Sequence, residues 1–363
     1  MNTANEPART FRWSRPAALG LATLFALCAV LAVSFAYSRT SAPDFLSYWA
    51  AGRLTFEGHP ALAYDIARHH AVEGQISNSV GMLPFPYPPP FLLVVLPFGI
   101  APMWIAFAAW IAITLGLYVA ASWRMIDVRF ALAQAAAAAN FIVGQNGFLT
   151  SAIFIRGTAL LATRPLLAGA TLGLLFFKPQ LALLLPIALI AGREWRAIGG
   201  GILCTVALGL LGLLLFGAAS YRGFLAMLPQ FTLWLNAGRW SWGELASIFA
   251  FLRFFGVPHT PAFIVHATIA IAAAAMTAHA WATKSARRIP ILAASTLLAS
   301  PYLFTYDGLL LVLPMAGLMR QESRRIFLTV WILSLLPVIA YFRPFPNTIP
   351  IAAMLALWTL RKR

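Results

Sequence analysis

Four places in this 363-residue chain set polar groups where their neighbours are apolar, and each could do chemistry. Asp44, in PDFLSYW (43–49), is a carboxylate flanked by Phe45 and Trp49. Partial desolvation there would raise its pKa and suit it to general-base catalysis; the alternative is a helix N-cap ahead of an amphipathic segment. Lys178, in FFKPQ (176–180), is one of three lysines and the one that falls inside an apolar run. A lysine at mid-membrane costs about 2.5–3.5 kcal/mol on insertion, and Pro179 breaks the helix beside it. The ammonium and the freed backbone groups would then share a polar cavity fit for an anion such as a lipid phosphate, unless Lys178 snorkels or pairs with an internal acid. Asp307 closes SPYLFTYD (300–307), where it could orient a sugar, pair with an arginine, or be an ordinary loop carboxylate. GQNG (144–147) offers two amides, Gln145 and Asn146, that could hydrogen-bond a sugar or simply make a turn.

The elements that must position these groups follow from composition. Apolar residues make up 61% of the chain and charged residues 10%, with a mean hydropathy of +0.81. Soluble chains run nearer 45–50% apolar and 25% charged, and one spanning helix needs roughly 20 apolar residues. The expectation is an all-α polytopic membrane protein, a single transmembrane domain over residues 1–363 with about 10–13 spans. The net charge of +16 does not point to nucleic acid, because 14 of the 26 basic residues fall in five short segments beside apolar runs. These are Arg9, Arg12 and Arg15; Arg193 and Arg196; Lys284, Arg287 and Arg288; Arg320, Arg324 and Arg325; and Arg361, Lys362 and Arg363. That placement is the positive-inside pattern and assigns those segments to the cytoplasmic side of the inner (plasma) membrane.

The run from Pro16 to Tyr37 is longer than the 7–15 apolar residues of a cleaved signal, so it reads as a retained first span with a cytoplasmic N-terminus. Residues 38–90 then form the first extracytoplasmic loop, holding Asp44, Glu57, Asp65 and Glu73 together with His59, His69 and His70. Near-helical spacing over Asp44–Glu57 and Ala61–Glu73 predicts two short amphipathic helices lying on the membrane surface. FPYPPPF (85–91) forbids a regular helix until the next span. Apolar runs follow at 91–100, 103–122, 130–143, 147–163, 166–191 and 197–217. A second extracytoplasmic loop is expected over 218–261, with Trp234, Trp240 and Trp242 as an interfacial belt. The last runs are 262–282, 289–303, 306–319, 326–342 and 347–360. This second half obeys the charge rule at every turn; Arg124, Arg129 and Arg164 obey it only if some of 91–100, 130–143 or 166–191 is re-entrant or split.

Several chemistries find no support. His69 and His70 are adjacent, hence on different helix faces, and no H-x-x-x-H pattern exists, so no metal site is expected. Cys28 and Cys204 lie in separate apolar runs and read as small core residues. No Walker loop, G-x-G-x-x-G junction or G-x-S-x-G elbow occurs, which argues against nucleotide-driven pumping and serine hydrolysis.

Taken in order, the motifs resemble glycosyltransferase family 87. They are D-F-x-x-Y-W from Asp44, G-x-x-x-x-x-Y-D from Gly58 to Asp65, Y-P-P-P-F from Tyr87, Gly144-Gln145 before a span, K-P-Q from Lys178, and S-P-Y-x-x-x-Y-D from Ser300 to Asp307. The set runs over roughly residues 40–320. The resemblance implies a GT-C-type integral membrane glycosyltransferase. Such an enzyme transfers a sugar, mannose foremost, from a polyprenyl-phosphate donor to a lipid-linked or cell-envelope glycan acceptor on the outer face, with inversion. It implies Asp44 as catalytic base, with Lys178 and Arg156 at the departing phosphate. Tyr48, Tyr87, Gln145, Asn146, Gln180, Tyr302, Tyr306 and Asp307 would line the substrates. No cofactor or metal is expected, and membrane lipids are the remaining partners. Tyr302 departs from several relatives, which carry His in the late S-P-x motif.

Two readings from other classes compete. A secondary transporter would carry broken helices in both halves, and Lys178-Pro179 supplies only one. A flippase or non-catalytic assembly subunit would tolerate loss of Asp44.

Overall fold

A computed structural model describes residues 44–76, 81–237, 240–320, 323–341 and 343–361. The expected first span Pro16–Tyr37, its flanking arginines and Cys28 lie outside the described residues. Among those described, the regular structure is helical, with one isolated antiparallel bridge between Leu245 and Phe304. The protein is an all-α membrane protein. By length and composition, three segments among the described residues can cross a membrane: Met103–Ser122, Trp195–Gln230 and His259–Ala282.

The remaining apolar runs are cut into shorter helices, and the cuts fall where the sequence put polar or cyclic residues. The 130–143 run is divided into Val128–Leu132 and Ala135–Val143. The 166–191 run becomes Pro165–Gly173, a 3₁₀ turn Leu174–Phe177, then Pro179–Ala182 and Leu185–Ala191. Pro179 opens its helix at the first position, where a missing N–H costs nothing. Of the three runs among which the charge rule asked for some to be re-entrant or split, two are split.

Trp195–Asn236 is bent at Gly217, whose φ of 73° no L side chain adopts easily. Beyond the bend the Tyr221 hydroxyl donates to the Gly209 carbonyl at 2.6 Å. In a straight helix those residues would stand about 18 Å apart along the axis, so the chain turns back sharply. Residues 218–236, the first part of the expected second extracytoplasmic loop, are helical, and Gly223 seats this arm against Tyr64. Before the bend, Leu203, Leu210 and Leu214 point outward, Leu214 being 80% exposed. A helix that apolar on its outer side suits a lipid environment.

Phe45–Phe56 is not a surface helix. Ten of its residues, from Phe45 through Ala51 together with Gly52, Leu54 and Thr55, are buried. It packs against Leu92–Ile100 through Gly52 and Gly99, where a Cβ on Gly99 would fall 2.1 Å from the Gly52 carbonyl carbon. Two missing side chains let the backbones touch, and a helix wrapped on all faces has no face left for the membrane surface. The second predicted amphipathic helix is a 3₁₀ turn Pro60–Tyr64 followed by Ile66–Gly74. Asp65 caps that helix, accepting from Ala67 N and Arg68 N at 3.0 Å each.

Trp240 and Trp242, expected in an interfacial belt, pack with Tyr302 and Phe304 around buried Leu245 and Ala250. Cys204 is a half-buried free thiol.

Candidate active site

Asp44 stands at the head of the buried Phe45–Phe56 helix but does not cap it: its side chain takes no bond from the helix N-terminus. It accepts instead from Gln145 Nε2 at 3.2 Å, across 101 residues. The carboxylate is half-buried, and desolvation, with a smaller push from the charge of Glu73, raises its pKa against the opposing Gln145 hydrogen bond. Its other oxygen has no protein partner among the described residues. The capping geometry is not what the fold builds.

Tyr48 lies one turn further along the same helix face. Its hydroxyl donates to Gln145 Oε1 at 2.6 Å and meets the Tyr87 hydroxyl at 2.8 Å. Both rings are clamped by aromatic neighbours, Tyr48 by Phe91 and Trp110 at centroid distances of 5.7 and 5.4 Å. Gln145 therefore reads out two hydroxyls with its oxygen and a carboxylate with its nitrogen, which fixes the orientation of its amide.

Asn146, next in the chain, turns to the opposite side. Its Oδ1 accepts from Lys178 Nζ at 2.8 Å, and its buried Nδ2 meets no acceptor with hydrogen-bonding geometry. Lys178 is also ion-paired to Asp307, with both side chains almost fully buried, and its ammonium lies 4.6 Å from the centroid of the Tyr306 ring. The second Asp307 oxygen accepts from Phe304 N–H at 3.1 Å. Tyr306 stacks on Phe304 at 5.3 Å.

Two loops carry most of this, and Asn140 ties them together. Its Nδ2 donates to the Tyr306 carbonyl at 2.8 Å, and its Oδ1 accepts from Gly147 N–H at 2.8 Å. At Gly147 the backbones come so close that a Cβ would lie 2.3 Å from the Tyr306 oxygen. The GQNG turn is thus a fitted joint against the SPYLFTYD loop.

Eight predicted residues converge: Asp44, Tyr48, Tyr87, Gln145, Asn146, Lys178, Tyr306 and Asp307. Three do not. Arg156 is exposed on Gly147–Leu160, nine residues past Gly147 and so about 14 Å along the axis. Gln180 is half-buried and makes no hydrogen bond to the group. Tyr302 packs on Phe249 at 6.3 Å in the tryptophan cluster. The expected role of Lys178 also changes. Asp307 neutralises its ammonium in a buried setting, where an unpaired charge would be costly, which is the internal-acid pairing the sequence left open.

Residues that sequence reasoning passed over complete the surroundings. Asn140 was detectable as an amide inside an apolar run, which is expensive unless used. Glu73 is fully buried behind Asp44, with His69 Nε2 at 3.4 Å, His70 Nδ1 at 3.0 Å and Leu83 N–H donating at 3.2 Å. Both adjacent histidines reach it because it lies three and four residues on. No group of three metal-ligating side chains occurs among the described residues.

The family model described as Glycosyltransferase family 87 matches residues 85–301, more than half of the chain. No curated protein and no solved structure matches it.

Proposed function

Given that the chain belongs to glycosyltransferase family 87 and is a membrane-embedded glycosyltransferase, we propose that Asp44 is its catalytic base and that its donor is a polyprenyl-phosphate sugar, mannose foremost. The acceptor is a lipid-linked or cell-envelope glycan. One observation carries this reading: Asp44 is held by Gln145 through one oxygen and leaves the other without a partner among the described residues.

That free oxygen removes the proton from an acceptor hydroxyl as the hydroxyl oxygen attacks the anomeric carbon. The carbon–oxygen bond to the phosphate breaks on the far side, which inverts the configuration. Burial raises the basicity of the carboxylate, and the Gln145 bond keeps it ionised enough to act. Tyr48, Tyr87 and the unpartnered Asn146 Nδ2 are the hydroxyl and amide groups that would orient the sugar. The Lys178–Asp307 pair serves as the rigid floor beneath them.

A polyprenyl chain gains about 0.8 kcal/mol per buried methylene, so such a donor stays in the bilayer and approaches laterally. We place the site on the extracytoplasmic side of the inner membrane, from the basic segments that mark the opposite side.

The test is transfer from radiolabelled polyprenyl-phosphate-mannose to a membrane lipid extract by the purified protein in nanodiscs. Wild-type transfer that collapses in Asp44→Asn supports both base and donor. Equal transfer by the two proteins removes Asp44 as base, and absence of transfer by wild type across a panel of polyprenyl-phosphate sugars removes the donor class.

A further inference from the structure

Glu73 is fully buried, and its carboxyl is surrounded by nitrogens. Leu83 N–H donates to Oε2 at 3.2 Å, His70 Nδ1 stands 3.0 Å from the same oxygen, and His69 Nε2 faces Oε1 at 3.4 Å. Such surroundings suit the ionised carboxylate, which only accepts, better than the protonated acid, which would need an acceptor of its own.

A chain of contacts leads from Glu73 to the helix that begins at Asp44. The Ser47 hydroxyl donates to the Pro84 carbonyl at 3.1 Å, so its contact with His69 Nε2 at 3.3 Å must be one in which the ring nitrogen carries the proton. That tautomer leaves His69 Nδ1, buried and without a partner among the described residues, as a bare lone pair rather than an orphaned donor. Ser47 lies three residues on from Asp44 and therefore on the same side of the helix. Its own N–H donates to the Asp44 carbonyl at 3.1 Å. The same knot holds the segment that carries Tyr87. Leu83 and Pro84 are fastened as above, and fully buried Phe85 packs on His69 at 6.3 Å, on Tyr48 at 6.4 Å and on Tyr87 at 5.4 Å.

The remaining titratable groups on the elements packed here are engaged with one another or face outward. Arg53 and Glu57 pair at 2.6 Å at the far, exposed end of the Phe45–Phe56 helix. Asp65 caps Ile66–Gly74, and His59 and Arg68 are exposed. The Tyr64 hydroxyl donates to the Tyr87 carbonyl at 3.0 Å, and the Tyr87 hydroxyl meets that of Tyr48 at 2.8 Å. The charge of Glu73 reaches Asp44 and opposes its ionisation, in the same direction as burial.

We propose that Glu73 is a positioning residue for the catalytic base: linked through His69 to Ser47, it holds the head of the Phe45–Phe56 helix and supplies a fixed negative charge behind Asp44. The proposal rests on the reading of Asp44 as base. A buried carboxylate is expensive to keep, and a base that must deprotonate a sugar hydroxyl gains from this one twice. The proton that Asp44 accepts is bound more firmly, and the accepting oxygen is aimed by a helix whose head cannot slide. Glu73 itself takes no proton from the substrate.

The experiment is titration of the Asp44 carboxyl by isotope-edited infrared spectroscopy of the full chain in nanodiscs, the Asp44 band being the one lost in Asp44→Asn. In Glu73→Gln, which keeps an acceptor for Leu83 N–H but carries no charge, the Asp44 midpoint should fall by about half a unit to one unit. Glu73→Asp, which keeps the charge, should leave it near the wild-type value. A midpoint unmoved in Glu73→Gln overturns the proposal whatever happens to the melting temperature, because a purely structural carboxylate would change stability alone. If Glu73→Gln fails to fold, transfer kinetics at His69 decide. His69→Leu cuts the link and should lower kcat about tenfold or more with donor KM unchanged, and His69→Gln, which can still donate to Ser47, should restore most of it. A kcat in His69→Leu equal to that of wild type overturns the proposal. The titration needs no donor, so absence of transfer by wild type counts against the donor class alone. Transfer that survives Asp44→Asn overturns the base reading and this proposal with it, whereas an unmoved midpoint together with transfer lost in Asp44→Asn overturns only this proposal.

Discussion

The Lys178 ammonium and the Asp307 carboxylate, 129 residues apart, form an ion pair in which neither side chain is more than 3% exposed. Each charge is tolerable only because the other is there.

Breaking the pair from one side should therefore cost far more than removing it. Lys178→Met leaves a buried carboxylate uncompensated and should destabilise by about 3–5 kcal/mol. The double variant Lys178→Met with Asp307→Leu should recover most of that loss. It will not recover all of it, because Phe304 N–H loses its acceptor. Thermal unfolding of wild type, the Lys178→Met and Asp307→Leu single variants and the double variant in one detergent gives the coupling energy. A double variant no better than the single one would mean that the pair is not the stabilising unit.

Asp44 should reveal its raised pKa in two opposite ways. Activity requires the ionised form, so transfer should fall as pH drops through the elevated pKa. Stability runs the other way. A carboxyl whose folded-state pKa exceeds its unfolded value contributes stability at low pH and loses it as pH rises through the folded-state pKa. Asp44→Asn should thus melt at or above wild type at pH 8, with the gap narrowing toward acid. Gln145→Glu, which replaces the donor by a like charge, should move the acidic limb of transfer to higher pH.

Gly147 should tolerate no side chain. A Cβ there meets the Tyr306 carbonyl at 2.3 Å and Asn140 Nδ2 at 2.5 Å, so Gly147→Ala must push the two site loops apart. A loss of about 1–3 kcal/mol is expected, together with most of the transfer activity. Gly116→Ala is the matched control, since nothing lies within 4 Å of its Cβ and it sits inside Met103–Ser122. Alanine there should be neutral or stabilise by up to about 1 kcal/mol.

Arg156→Ala should leave both donor binding and transfer unchanged, because the side chain is exposed and the helix carries it away from Asn146. Loss of donor binding in that variant would require the donor phosphate to lie well outside the group around Asp44.

Much of the site was legible before any folding was considered, and the reason is energetic. In a chain with 10% charged residues, a lysine inside an apolar run or paired amides between two apolar runs cannot be idle. That argument singled out Lys178, while Gln145 and Asn146 stood as either sugar ligands or an ordinary turn, and the ordered motifs supplied Tyr48, Tyr87 and Tyr306. It could not say who the partners were. Phosphate and Asp307 are equally good answers to an unpaired ammonium until the loops are brought together. Tyr302 and Gln180 were carried by motif adjacency alone, and residues adjacent in sequence need not face one direction.

Composition and hydropathy determined on their own that this is a helical membrane protein, and they placed Met103–Ser122 and His259–Ala282 to within a few residues. Those are local properties, set by one residue's affinity for lipid and its neighbours' spacing. Tertiary structure alone decided that Phe45–Phe56 is enclosed rather than surface-bound, that residues 218–236 fold back as helix, and that Asp44 meets Gln145 across 101 residues. Burial of a charge demands a partner, but which partner is fixed by how distant backbones pack, and no periodicity along the chain encodes that.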